Sequence, residues 1–144
     1  MTLLDAYGLV AFVLDDPAAR IVEKLLREDG SRIVIANLAE AIDVSQRVHH
    51  LASEEVRAAI EPLFLDGSLT TVVSDEPEAW LAADLRVRHY DRRARALSLA
   101  DCLLLAHALI ESEAVATADP PVAKVARDEG IGVVRLPDSA GKLP

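Results

Sequence analysis

The sequence predicts an α/β fold of three layers (α/β/α), in which a central, mainly parallel sheet of four to five strands lies between helices. Short aliphatic and β-branched runs, such as Ile33-Val34-Ile35, alternate along the chain with longer segments that repeat apolar residues at helical spacing. Capping and turn residues separate the two kinds of segment. This alternation is typical of parallel sheets, because parallel strands need a crossover between them.

The predicted strands are short apolar runs that suit burial on both faces of a sheet. In chain order they are residues 3–4, 32–36, 69–73, 114–117 and 132–136. The predicted helices are amphipathic segments between them, at residues 9–14, 17–29, 37–50, 53–65, 76–96, 98–110 and 122–129. Asp16, Asn37 and Ser98 are expected to cap three of these helices, and Gly30 and Gly130 to end two of them. We expect a single domain over residues 1–144, with residues 136–144 as a frayed tail.

Composition excludes several classes of site. A single cysteine, Cys102, excludes an intramolecular disulfide and a four-thiolate zinc site. No apolar run approaches a membrane span, and the N-terminus lacks the order of a signal peptide, so we expect a cytoplasmic protein that does not enter the membrane. The net charge of −9 argues against binding nucleic acid by bulk attraction. It does not exclude a nuclease, since an acidic metal site is negative until its cation binds.

Four carboxylates stand where predicted strands end or helices begin: Asp5, Glu40, Asp101 and Asp119. Ligands of open α/β sheets bind beyond the carboxyl ends of the strands, so these side chains are expected to converge at that edge. Oxygen ligands of this kind suit a hard divalent cation such as Mg²⁺ or Mn²⁺.

A purely structural interpretation is also open. Asn37-x-x-Glu40 and Ser98-x-x-Asp101 both fit capping boxes, and Asp119 before Pro120 fits an N-cap. Asp5 weighs against it, because it ends a buried strand where no cap is expected. His107, six residues beyond Asp101 on the same helix, points elsewhere and is expected to be structural. His49 and His50 are expected to end a helix.

Arginines crowd the second half of the predicted helix 76–96. Arg88, Arg92 and Arg95 follow the spacing i, i+4, i+7 and are expected to share one helix face, with Arg86 and Arg93 nearby. A solvated face is one interpretation. The other is a phosphate track for single-stranded RNA, formed by Arg88, Arg92, Arg93 and Arg95, with Tyr90 available for stacking.

Four motifs together resemble the PIN-domain family, and most closely the VapC-type toxins of bacterial toxin–antitoxin pairs. They are Leu3-Leu4-Asp5, Leu38-Ala39-Glu40, Leu97-Ser98-Leu99-Ala100-Asp101 and Ala116-Thr117-Ala118-Asp119-Pro120. Each motif is weak alone, but the four are in register from residue 2 to about residue 136.

The resemblance implies a PIN-like fold and a Mg²⁺- or Mn²⁺-dependent ribonuclease. It implies that Asp5, Glu40, Asp101 and Asp119 are catalytic, with Asp5, Asp101 and Asp119 as metal ligands. Ser98 and Thr117 would be supporting hydroxyls. The implied partners are an RNA substrate, a neutralising VapB-like antitoxin and a second copy in a homodimer.

One departure from the family pattern follows the first aspartate, where Ala6 and Tyr7 replace the usual hydroxyl or amide side chains. It removes a polar neighbour of the implied metal site. An alternative function is therefore a catalytically weak or inactive PIN-like module that binds protein or RNA. A phosphoacceptor signalling domain is disfavoured, because no lysine follows the last strands in a position to reach a phosphate.

Overall fold

All five strands form one parallel sheet with the first strand at its centre. The computed structural model describes residues 1–144. Its strands are β1 (Thr2–Leu4), β2 (Ser31–Val34), β3 (Leu69–Val72), β4 (Ala114–Thr117) and β5 (Val133–Arg135). Their order across the sheet is β3-β2-β1-β4-β5, and every pairing is parallel. The strand order therefore reverses between β1 and β4.

Seven helices cover the two faces of this sheet. They are α1 (Ala6–Leu14), α2 (Ala19–Glu28), α3 (Ile35–Arg47), α4 (Ser53–Leu65), α5 (Glu76–His89), α6 (Leu99–Glu111) and α7 (Pro120–Asp128). Helices α1 to α4 share one apolar core with Leu4, and helices α5 to α7 share a second core with Leu3. Leu3 and Leu4 enter different cores because successive residues of a strand point to opposite faces. The predicted three-layer α/β/α fold is confirmed, and no helix has the length and apolar character needed to cross a membrane.

Two helix starts near the N-terminus differ from the prediction. Helix α1 begins at Ala6, directly after Asp5, rather than at Leu9. Helix α2 begins at Ala19, and its N-cap is Ala18 without a side-chain cap, so the predicted capping role of Asp16 is wrong.

The predicted cap at Asn37 is also wrong. Strand β2 turns directly into α3, whose N-cap is Val34, so Asn37 lies inside the first turn of the helix. Its side chain is fully buried, and neither the amide nitrogen nor the amide oxygen has a hydrogen-bond partner.

Helix α5 ends at His89, earlier than the predicted residue 96. The Asp91 carboxylate accepts hydrogen bonds from the backbone N–H groups of Arg93 and Ala94, and Asp91 pairs with Arg95 through two backbone hydrogen bonds. This turn replaces the helix. The prediction that Arg88, Arg92 and Arg95 share one helix face is therefore wrong.

Ion pairs tie this turn and the end of α5 to the end of α7. Arg88 pairs with Asp84 on its own helix and with Glu129. The same carboxylate of Glu129 also pairs with the imidazole of His89. Arg95 pairs with Asp128 across 3.7 Å. These contacts join segments that are about 40 residues apart in sequence.

A buried polar contact joins α5 to α6. His107 Nδ1 and Glu78 Oε1 form a hydrogen bond, and the two residues are only 4% and 5% exposed. The expected structural role of His107 agrees with this geometry. The second atoms of the pair, His107 Nε2 and Glu78 Oε2, are buried without a partner.

We predict that Glu78→Ala lowers the free energy of unfolding by about 3 kcal/mol, because it leaves the buried imidazole without its partner. Denaturant unfolding followed by circular dichroism measures this loss. Glu61→Ala is the matched control: it removes an exposed partner of Arg57 and should cost less than about 1 kcal/mol. Equal losses in the two variants would show that the buried pair contributes no more to stability than an exposed ion pair.

Candidate active site

The four predicted carboxylates line one open cavity at the carboxyl ends of the strands. The cavity has a volume of about 390 Å³, and Asp5, Glu40, Asp101 and Asp119 all contribute to its wall. Asp5 directly follows β1, and Asp119 follows the neighbouring strand β4. The cavity therefore lies where the strand order reverses, the position at which open α/β sheets bind ligands.

Three of these carboxylates also cap helices. Asp5 is the N-cap of α1 and accepts a hydrogen bond from the Gly8 N–H at 2.7 Å. Asp101 completes the predicted capping box of α6, accepting from the Ser98 N–H at 2.9 Å. Asp119 is the N-cap of α7, with a longer contact of 3.5 Å to the N–H of Val122. The expectation that Asp5 needs no capping role is wrong, because α1 begins immediately after it.

Glu40 reaches the cavity in a different way. It is the sixth residue of α3, so its predicted place in the first helical turn, and the capping box with Asn37, are both wrong. Its side chain is exposed and makes no hydrogen bond within the protein. Glu40 is therefore the one of the four carboxylates that is not held in place by a helix-capping hydrogen bond.

Burial and like charge raise the pKa values of Asp5, Glu40 and Asp119. Burial raises the pKa of Asp5 to about 7, and Asp101 and Asp119 add to the rise, whereas hydrogen bonding from Thr117 and the Gly8 amide opposes it. Partial loss of hydration at the cavity wall raises the pKa values of Glu40 and Asp119, and the charge of Asp101 adds to the rise. The charge of Asp101 thus acts on all three of the other carboxylates, as expected for a crowded acidic cluster.

The two predicted supporting hydroxyls hold the carboxylates in place. Thr117 is fully buried at the end of β4, and its Oγ1 accepts a hydrogen bond from the backbone N–H of Asp119 at 3.0 Å. Ser98 Oγ donates to Asp101 Oδ2 at 2.7 Å. Tyr7 also lines the cavity, but its hydroxyl donates to the backbone oxygen of Pro137 at 3.2 Å and so points toward the C-terminal segment.

The donor set suits a hard divalent cation. Carboxylates are the most numerous polar groups in the wall of the cavity, and Cys102, the one thiol, is buried outside it. The hydrogen bonds to Asp101 all go to Oδ2 and that to Asp119 goes to Oδ1, which leaves the second oxygen of each without a partner in the protein. No three acidic, histidine or cysteine side chains are drawn together closely enough to hold a metal ion. The chemistry of these ligands therefore fits a hard divalent cation, whereas the positions of Asp5, Asp101 and Asp119 are those of helix-capping side chains.

The sequence analysis grouped Arg86 and Tyr90 with the arginine-rich segment and not with the four carboxylates, yet both line the cavity. Their spacing, i and i+4 at the end of α5, was the available signal. The four arginines predicted to bind RNA lie elsewhere, since none of Arg88, Arg92, Arg93 and Arg95 lines the cavity. Arg88 and Arg95 are held in ion pairs, whereas Arg92 and Arg93 are exposed and unpaired.

We predict that Asp5→Asn stabilises the metal-free protein at pH 8, because asparagine keeps the N-cap and removes a buried charge. Wild-type Asp5 binds its proton more tightly when folded, so its contribution to stability falls as pH rises from about 4 to about 7. The advantage of the variant should grow by a few kcal/mol over that window and stay constant above it, at about 1.4 kcal/mol per pKa unit.

Thermal unfolding in chelator across this pH range tests the prediction. Glu28→Gln, which changes an exposed carboxylate on α2, is the control and should show no such pH dependence. A constant difference between Asp5→Asn and wild type at every pH would show that the carboxyl of Asp5 titrates normally.

The fold resembles those of known proteins. Three solved structures resemble the chain: VapBC2 from Rickettsia felis bound to a promoter DNA fragment (TM-score 0.66, 18% identity, 92% of this chain and 96% of that chain covered), VapBC-1 from nontypeable Haemophilus influenzae (TM-score 0.63, 17% identity, 92% and 96% covered), and FitAcB from Neisseria gonorrhoeae (TM-score 0.59, 22% identity, 92% and 96% covered). No curated protein matches the sequence significantly. The model of the PIN domain matches residues 2–128, and the chain therefore belongs to the PIN-domain family.

Proposed function

We propose that this protein is a metal-dependent endoribonuclease and the toxin of a toxin–antitoxin pair. The observation that carries the proposal is the convergence of four carboxylates on one open cavity at the strand ends of a PIN-family domain. Solved complexes of VapBC and FitAB type share this fold, which supports the toxin assignment.

The residues have distinct roles in this proposal. Asp5, Asp101 and Asp119 would hold Mg²⁺ or Mn²⁺, and the bound cation would stabilise charge on the phosphodiester and lower the pKa of the attacking water. Glu40 caps no helix and has a raised pKa. It is therefore suited either to join the metal ligands or to orient the attacking water and accept its proton. Thr117 and Ser98 keep the aspartates in position. Hydrolysis breaks one phosphorus–oxygen ester bond and adds water across it.

An antitoxin could occupy the grooves on the face formed by α1 to α4. One groove, of about 630 Å³, includes Phe12, Leu26 and Leu63. A second, of about 240 Å³, includes Ile42 and Phe64. Arg27 pairs with Glu23 in the first groove and Arg57 pairs with Glu61 in the second, which leaves Asp29 and Asp66 of the first groove as carboxylates without an ion-pair partner. An amphipathic helix with basic flanks is complementary to such a surface, and an antitoxin of VapB type is the partner we propose.

A homodimer is the assembly we propose. Helix α5 exposes Trp80 and Val87, which are 72% and 85% exposed. They are seven residues apart and therefore lie on one face of the helix. Exposed apolar surface of this kind favours association with a second copy.

The alternative is a PIN-like module that binds protein or RNA without turnover. Ala6 and Tyr7 favour it, because neither supplies a hydroxyl to the cavity. The two functions differ in a single measurement, which is cleavage by the purified wild-type chain.

We predict that the purified protein cleaves labelled single-stranded RNA in Mn²⁺ or Mg²⁺ and that EDTA abolishes the cleavage. Asp101→Asn should reduce the rate at least about 100-fold, because it removes a ligand charge while its amide oxygen can still accept the capping hydrogen bonds. Glu28→Gln is the control of equal charge change outside the cavity and should cleave at the wild-type rate. Absence of cleavage by clean wild-type protein would favour the binding module.

We predict that Arg92→Ala and Arg93→Ala together weaken RNA binding and flatten its salt dependence, because these exposed arginines are the unpaired members of the proposed phosphate track. Binding is measured by fluorescence anisotropy over a series of salt concentrations. Arg57→Ala, which removes a cation paired with Glu61 on α4, is the control. RNA affinity equal to wild type at every salt concentration would remove both arginines from the interface.

A further inference from the structure

Arg86 is the one basic residue in the wall of the acidic cavity. The other ionisable side chains with a charge of either sign are the acidic ones of Asp5, Glu40, Asp101 and Asp119. An anionic strand that approaches these carboxylates meets repulsion until a cation screens them. A fixed positive group in the same wall would lower that barrier.

The guanidinium of Arg86 is held in place without using its terminal nitrogens. Nε donates to the backbone oxygen of Leu97 at 3.0 Å, and Cζ lies 4.7 Å from the centre of the Tyr90 ring. Arg86 has no carboxylate within ion-pair distance, and its Nη1 and Nη2 groups make no hydrogen bond within the protein. Arg88, two residues later, differs, since both Asp84 and Glu129 neutralise it.

This geometry suits a phosphate. The two terminal nitrogens of a guanidinium match the spacing of two phosphate oxygens, and a guanidinium whose orientation is already fixed loses little entropy on binding. Tyr90 adds an aromatic surface, since it is 44% exposed and Arg86 covers only one face of its ring. An exposed tyrosine face is a stacking platform for an unpaired base.

We propose that Arg86 and Tyr90 form a substrate-positioning pair, in which Arg86 binds a phosphate of single-stranded RNA beside the acidic site and Tyr90 stacks on an adjacent base. This inference rests on the proposed ribonuclease function and names the residues that align its substrate. It also explains how a chain of net charge −9 presents a favourable contact to RNA next to four carboxylates.

RNA binding without metal tests the phosphate contact. Anisotropy of a short, fluorescently labelled, mixed-sequence single-stranded RNA is measured in EDTA with wild type, Arg86→Gln and the control Arg57→Gln. Arg86→Gln should weaken binding about tenfold or more and reduce the slope of log affinity against log salt by about 0.7, the value for one lost phosphate contact. Arg57→Gln should change neither quantity.

Chemically modified RNA tests the same contact in the wild-type protein, so the test survives if Arg86→Gln fails to fold. A neutral methylphosphonate is placed at each linkage in turn. One position should weaken wild-type binding strongly and Arg86→Gln binding little, because the charge it removes is the partner of Arg86. No position with this behaviour would overturn the phosphate contact.

Two variants of Tyr90 test the stacking contact. Tyr90→Phe keeps the ring and should bind as wild type, whereas Tyr90→Ala should lose about tenfold in affinity. Equal affinity of Tyr90→Ala and Tyr90→Phe would overturn the stacking role.

The outcomes separate this inference from the function on which it rests. If wild type cleaves RNA while Arg86→Gln binds and cleaves with unchanged KM and kcat, Arg86 is only an internal counter-charge, and the ribonuclease proposal stands. In that case Arg86→Gln would change the thermal stability of the protein but not its binding or cleavage of RNA. If wild type neither binds nor cleaves RNA, the ribonuclease proposal itself is wrong.

Discussion

The free N–H groups at three helix starts determine how the acidic cavity is built. Helices α1, α6 and α7 each begin at the cavity. Asp5 and Asp119 accept hydrogen bonds from first-turn N–H groups of α1 and α7, whereas Asp101, itself in the first turn of α6, accepts from the N–H of the N-cap Ser98. The positive end of a helix dipole stabilises a nearby carboxylate. These helix starts therefore offset part of the repulsion that crowding creates. The same carboxylates shape the fold and supply the charge of the site.

The sequence was sufficient to predict the parts of the site that follow from local rules. Asp5 and Asp119 could be placed because strands β1 and β4 are short apolar runs whose ends are clear, and the carboxyl ends of parallel strands meet at one edge. The Ser98–Asp101 capping box was readable as a spacing of three residues and is present in the structure. The strand ends and the capping box are each set within a few residues of the chain, and the shared edge of parallel strands is a general rule that needs no particular contact.

The remaining parts depend on contacts between distant segments. The end of α5 could not be placed because the arginine-rich segment favours a helix locally, whereas Asp91 and the ion pairs to Asp128 and Glu129 support a turn. Glu40 lies one turn further into α3 than predicted, because β2 passes into α3 at Ile35 without a side-chain cap. Arg86 was hard to single out, since its difference from Arg88 lies in the partners that tertiary structure provides.

The central position of β1 has a consequence for how the protein is made. Its register pairs Thr2 with Ala114, and the backbone N–H of Leu136 donates to the oxygen of Thr117 beside the site. Asp5 leaves the ribosome more than a hundred residues before β4, the strand that completes its surroundings. A nascent chain therefore carries no assembled acidic cavity. Because such long-range pairing is slow to form, the toxin proposed above would pass through an interval between translation and activity in which its proposed antitoxin can bind.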